Sequence, residues 1–134
     1  MVLDKIRSIA VWGDSVLKGI VYDENRHKYK HLEQDAVLVR MAELGMDLKN
    51  NAKFGLTAPK ARNLMLNALE KGVDAEMAVI EFGGNDCDYK WAEVSAHPER
   101  EHIPNTPLDV FKSCIAEMIQ ALRKHGITPV LMNL

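Results

Sequence analysis

The chain has 134 residues, 47% of them hydrophobic and 27% charged, which suits a single soluble domain, residues 1–134, with a real core. A net charge of −2 gives no reason to expect nucleic acid or an anionic membrane surface as a partner, and no apolar run approaches the roughly 20 residues that span a bilayer. Two cysteines are too few for a disulfide framework, and Met1-Val2-Leu3-Asp4-Lys5 lacks the basic-then-apolar layout of a secretory signal, so a cytoplasmic, reduced protein is expected.

Strand-like and helix-like segments alternate, which argues for a parallel α/β sheet. Ser8 to Trp12 reads as the first strand, nearly all apolar, as expected where helices cover both faces of a sheet. Gly19 to Lys30 reads as a long polar loop. Leu32 to Leu44 reads as a helix with Ala36, Val37, Arg40, Met41 and Leu44 on related faces, stopped by Gly45. Asp47 to Ala52 is a weaker strand, suited to an edge. Thr57 or Ala58 followed by Pro59 marks a helix start; Leu64, Met65, Ala68 and Leu69 form its buried stripe and Gly72 ends it. Met77 to Phe82 is the next strong strand. Beyond a long loop from Cys87 to Asn105, Thr106 is expected to cap a helix, with Pro107 in its first position and Asp109 as the capping-box acid. Val110, Phe111, Cys114, Ile115, Met118, Ile119 and Leu122 recur at helical spacing. Arg123, Lys124 and His125 oppose the helix dipole in the last turn, and Gly126 closes it. Ile127 to Met132 is a fourth strand.

Right-handed crossovers allow this order few arrangements. In a flavodoxin-like, three-layer α/β/α sheet the first strand lies between the second and third, and ligands bind where the winding reverses, outside the carboxyl ends of those strands. Ser15 follows the first strand and Asn85 the third, so one crevice would receive both.

Gly13-Asp14-Ser15 sits directly behind the first strand. A serine at such a tip can act as a nucleophile when a base and an oxyanion hole are near. Asn51-Ala52-Lys53-Phe54-Gly55 and Gly83-Gly84-Asn85-Asp86 offer that hole. The three segments together resemble the first three sequence blocks of the SGNH (GDSL-type) hydrolases, with Val16 in place of the usual leucine. The resemblance covers the whole chain and implies the flavodoxin-like strand order. It implies Ser15 as nucleophile, with three oxyanion donors: the N–H groups of Ser15 and Gly55 and the side-chain amide of Asn85. Glycine suits the second block because its backbone can approach a ligand closely. Asp14 is not the triad acid in that family and is expected to hold the turn. Asp14 and Asp86, with Tyr89, Trp91, His97 and His102, are the expected substrate-binding set.

The family's fourth block, an Asp-x-x-His that supplies the base, is absent from this chain. His27 and His31 read as solvated, and His125 as a helix-terminal cation. His97 and His102 lie in the long loop beside Asn85, which reads as a lid or substrate wall carrying Tyr89, Trp91 and Arg100. Either could replace the base only with an imidazole nitrogen within about 3 Å of the serine oxygen. The chain stops at Leu134 in an apolar strand, so it is expected to be truncated at its C-terminus, without the last strand and helix of the fold; a natural short form is the alternative. An exposed apolar edge invites another chain, so self-association through the fourth strand is expected.

Cys114 reads as core, and Cys87 has no second soft ligand spaced for zinc. Met41, Met65, Met77 and Met118 read as core filler. Glu81, an acid in a strand that should be buried, either pairs with a cation such as Arg40 or Lys53 or points toward the crevice. The expected activity is hydrolysis of a small acyl ester, of carbohydrate or lipid type, with no cofactor and with weak or no turnover for want of the base. A non-catalytic ligand-binding or assembly module on the same fold is the alternative.

Overall fold

The computed structural model describes residues 6–32 and 36–133. Along the chain, β1 (Ser8–Gly13) leads through a one-turn helix, α1 (Ser15–Lys18), to a hairpin of β2 (Ile20–Asp23) and β3 (Lys28–His31). Then come α2 (Val37–Glu43), β4 (Asp47–Asn50), α3 (Ala58–Lys71), β5 (Met77–Glu81), the short α4 (Trp91–Ala96), α5 (Leu108–Lys124) and β6 (Thr128–Leu131). The N-terminal pentapeptide, residues 33–35 of the expected helix and Leu134 lie outside the described residues.

The central sheet is all parallel, in the order β4-β1-β5-β6. The strands expected second, third and fourth are β4, β5 and β6, so the first strand does lie between the second and third. Register aligns Val11 with both Asn50 and Val79, and Gly13 with Glu81. That last pair brings the end of β5 beside the turn that follows β1.

Strand alternation divides the core in two. Ala10 and Trp12 face α3 and α5, meeting Met65, Leu69, Ala78, Ile80, Cys114, Met118 and Leu122. Ile9 and Val11 face the other way, onto Leu17, Leu38 and Ala52, with Met41, Leu48 and Val79 around them. Two helices thus cover one face of the sheet, and α2 with the small α1 covers the other.

Four local readings are corrected. Gly19 to Lys30 is not a loop: it holds the antiparallel hairpin, whose Tyr22 and Tyr29 rings meet edge to face at 5.3 Å. Its turn is set by Asp23 Oδ1, which accepts the N–H groups of Asn25 and Arg26. Because β3 is exposed throughout, no apolar alternation marks it in the sequence. In α2, Leu38 and Met41 meet the sheet, while Val37 and Leu44, seven residues apart on one face, are exposed. Leu64 and Val110 likewise lie exposed on α3 and α5, beside the faces that pack. Thr106 does not cap α5; Pro107 occupies the cap position, and the Thr106 hydroxyl donates to Asp86 Oδ1 at 2.6 Å.

Candidate active site

β1 ends at Gly13, and the chain enters α1 through Asp14, whose extended backbone makes it the N-cap. Asp14 Oδ1 accepts the Val16 N–H at 2.8 Å, which holds the turn. Ser15 is the first residue of α1 and is half-buried. Neither its hydroxyl nor its N–H has a hydrogen-bond partner among the described residues, consistent with an N–H in a helical first turn.

The second segment is fastened to the first by its backbone. Asn51 N–H donates to Val11 O at 2.8 Å and Lys53 N–H to Gly13 O at 3.0 Å. Gly55 follows with φ +68°, a left-handed conformation that glycine adopts without strain. A Cβ there would meet nothing within 4 Å, so backbone conformation rather than tight space calls for glycine. Its N–H also has no acceptor among the described residues.

The third segment closes the crevice. Asn85 Nδ2 donates to Leu56 O at 3.1 Å and to Asp14 Oδ2 at 3.4 Å. Its carboxamide therefore touches the residue after Gly55 and the residue before Ser15. Asp86 is buried, and its Oδ1 accepts the Ala58 N–H at 2.9 Å as well as the Thr106 hydroxyl. The Asp86 bonds run to the first turn of α3 and to the start of α5, tying three segments together.

Glu81, only 1% exposed, turns toward the crevice and not to a cation. Its Oε2 accepts the Asp14 N–H at 3.2 Å, whereas Arg40 pairs with Glu43 at 2.9 Å. Burial, and then the neighbouring Asp14 charge, push the Glu81 carboxyl above the ordinary glutamate range. An acid ending an otherwise apolar strand was the signal for this group, but the sequence did not indicate its partner.

The long loop stands apart from these donors. Tyr89 and Trp91 pack at 5.6 Å between ring centroids, and Trp91 Nε1 donates to Asp88 Oδ1 at 2.6 Å. Tyr89 and His102, with Val94 and Ile103, help line a cavity of about 370 Å³, whose wall does not include Ser15, Gly55 or Asn85. His97 Nδ1 lies 3.6 Å from Glu99 Oε1, and His102 Nε2 donates to His97 O at 2.7 Å, so both imidazoles are engaged inside the loop. Asn105 Nδ2 ties the loop back to Asn85 O at 3.0 Å. His31 Nε2 donates to Lys18 O, and His125 Nδ1 to Ala121 O at the end of α5. None of the five imidazoles bonds the Ser15 hydroxyl.

The geometry therefore gathers Ser15, the Gly55 turn and Asn85 at one end of the sheet. It leaves Tyr89, Trp91, His97 and His102 in a loop anchored beside them. Chemically, the first group offers a hydroxyl and two backbone N–H groups that have no partner among the described residues.

No protein-family model and no curated protein matches the sequence. Among solved structures, the chain is similar to TesA at 22% identity and a TM-score of 0.63, over 96% of this chain and 61% of that one. It is also similar to the psychrotrophic esterase EstA from Pseudoalteromonas sp., at 16% identity and a TM-score of 0.66, over 96% of this chain and 60% of that one. A third is AlinE4, described as an SGNH-hydrolase family esterase, at 17% identity and a TM-score of 0.64, over 97% and 60%. The fold is thus the α/β fold of SGNH hydrolases, and the chain spans about 60% of the length of these structures.

Proposed function

We propose that this chain carries the nucleophile and the oxyanion-binding half of a serine hydrolase of the SGNH, GDSL type, acting on a small acyl ester of carbohydrate or lipid type. One observation carries the reading: the Asn85 carboxamide bonds to the neighbours of both Ser15 and Gly55, across 71 and 29 residues of chain. A lone Gly-Asp-Ser turn would have no reason to meet an asparagine there.

In the proposed reaction the Ser15 Oγ bonds to the ester carbonyl carbon, and its proton passes to a base. The carbonyl electron pair moves onto oxygen, which the N–H groups of Ser15 and Gly55 and the Asn85 amide receive. Collapse of the intermediate breaks the bond to the alcohol oxygen, which leaves with a proton. Water then releases the acid and returns the proton to Ser15. The 3.4 Å contact of Asn85 with Asp14 is the longer of its two bonds, and it is the one an oxyanion would displace. These steps use protein groups and water, so the reading includes no cofactor.

With no imidazole on Ser15, turnover by this chain rests on the oxyanion donors, a residual catalysis of roughly 10³–10⁴ over water. The test is labelling by a fluorophosphonate, read by intact mass, alongside hydrolysis of an activated ester. One adduct on Ser15 and loss of turnover in Ser15→Ala are expected. Equal rates in the two proteins would remove the serine's role, and ligand retention without labelling would favour the binding-module alternative.

The reading also places the protein in a reduced, cytoplasmic setting, which suits free Cys87 and Cys114. No helix among the described residues is long and apolar enough to cross a membrane. It further includes self-association: the outer edge of β6, with exposed Leu131 and Met132, is the surface a second copy would cover. An apolar groove of about 740 Å³, walled by Phe111, Ile115 and Ile119, adjoins that edge.

A further inference from the structure

Glu81 lies directly beneath the Ser15 turn, and the reaction above makes no use of it. Three facts define its surroundings. It is buried, with Oε2 on the Asp14 N–H and no protein partner for Oε1. It sits against Gly13, where an added Cβ would lie 2.9 Å from Oε2. The residue it holds, Asp14, in turn accepts the Val16 N–H through Oδ1, so Glu81 meets the Ser15 turn through Asp14.

We propose that Glu81 is a positioning residue for Ser15: its buried carboxyl holds the Asp14 N–H and so fixes the turn that presents the serine. The inference rests on the nucleophile reading of Ser15 given above. Asp14 is the hub, since its carboxylate also holds the Val16 N–H and meets Asn85. Ionisation of Glu81 places a second negative charge beside Asp14 in a buried space, and the repulsion strains the turn that it holds.

The surrounding charges agree. Burial, and then the Asp14 charge, favour the neutral form of Glu81, while the Asp14 N–H favours the ionised form. Of the other titratable groups on the neighbouring elements, Arg40 on α2 pairs with Glu43, and Asp86 is bonded to Ala58 and Thr106. Lys18 on α1 and the exposed Lys53 contribute no ion pair to Glu81. The sign follows: the turn is least strained at low pH and loosens as pH rises through the elevated Glu81 pKa.

The experiment follows the rate of fluorophosphonate labelling of Ser15 against pH in the wild type, Glu81→Gln and Glu81→Leu. Thermal melts confirm that each is folded, and infrared spectra monitor the protonated-carboxyl band. Glu81→Gln keeps a neutral side chain that can both donate and accept. It should label at close to the wild-type rate at low pH and lose the wild-type decline as pH rises. It should also lack the protonated-carboxyl band. Glu81→Leu, if folded, should label about 10²-fold more slowly, the scale of an ångström-sized misplacement. If Glu81→Leu does not fold, the Gln variant and the infrared band decide the matter. A wild type that labels with the same pH profile as Glu81→Gln, or a folded Glu81→Leu that labels at the wild-type rate, overturns this proposal alone. No labelling of the wild type at any pH overturns the nucleophile reading, and this inference with it.

Discussion

Asn85 Nδ2 donates to the carbonyl oxygen of Leu56 at 3.1 Å, joining the turn after β5 to the turn before α3. The same amide reaches Asp14, so a single side chain spans the two other segments of the crevice. Replacing Asn85 by alanine should lower Ser15-dependent ester hydrolysis by about 10²–10³-fold, the usual loss for one oxyanion donor. The melting temperature should fall far less, because both bonds are only partly buried. Steady-state kinetics with a matched thermal melt checks this; an unchanged rate would remove Asn85 from the reaction.

Gly13 tolerates no side chain. An added Cβ would lie 2.9 Å from Glu81 Oε2 and from a methyl carbon of Leu17. Gly13→Ala should therefore destabilise the fold by about 1–3 kcal/mol, as overpacking does in well-filled cores. Urea unfolding midpoints test this. Gly55→Ala provides the contrast, since its cost arises from the left-handed backbone and not from contact.

Asp86 occupies the place of a side-chain cap for α3, whose own cap residue, Thr57, makes no such bond. Asp86→Ala would leave the Ala58 N–H and the Thr106 hydroxyl without their buried acceptor, a loss of about 1–3 kcal/mol. Asp86→Asn, which retains one oxygen acceptor, should lose less. Thr106→Val should recover part of the same loss in the Asp86→Ala background, because it removes the orphaned hydroxyl. Chemical unfolding of the single and double variants measures the coupling.

The outer edge of β6 should draw two copies together as concentration rises. Thr128 and Met132 direct their N–H groups to β5, so by alternation Pro129 and Leu131 face outward. Proline has no N–H to offer, so pairing would begin at Leu131. Light scattering should show a concentration-dependent dimer, and Leu131→Lys should return the monomer. A wild-type chain that stays monomeric at high concentration would count against the edge as an interface.

The strongest elements were legible because burial on both faces writes itself into the sequence. Ile9 to Trp12 is an apolar run closed by Gly13, Ala78 to Phe82 is apolar but for Glu81 and is closed by Gly83, and their order placed Ser15 and Asn85 at the same end of the sheet. The hairpin was not legible, because β3 is exposed along its whole length and needs no apolar alternation, while Ile20-Val21-Tyr22 alone is too short a run to mark a pair. Near α2, Ala36 and Met41 turn inward as expected, but Leu38 takes the place expected of Val37, since the two are equally apolar and only packing chooses between them. Thr106 and Glu81 depart from what their own segments predict for a shared reason. A polar side chain can bond within its own segment or reach a distant one, and composition carries no record of which.

Two of the three donors assigned to the crevice, at Ser15 and Gly55, are main-chain amides. A backbone N–H is supplied by every residue except proline, so what must be inherited at these points is the path of the chain and not the identity of a side chain. A site of the proposed kind can therefore persist while most of the letters around it change.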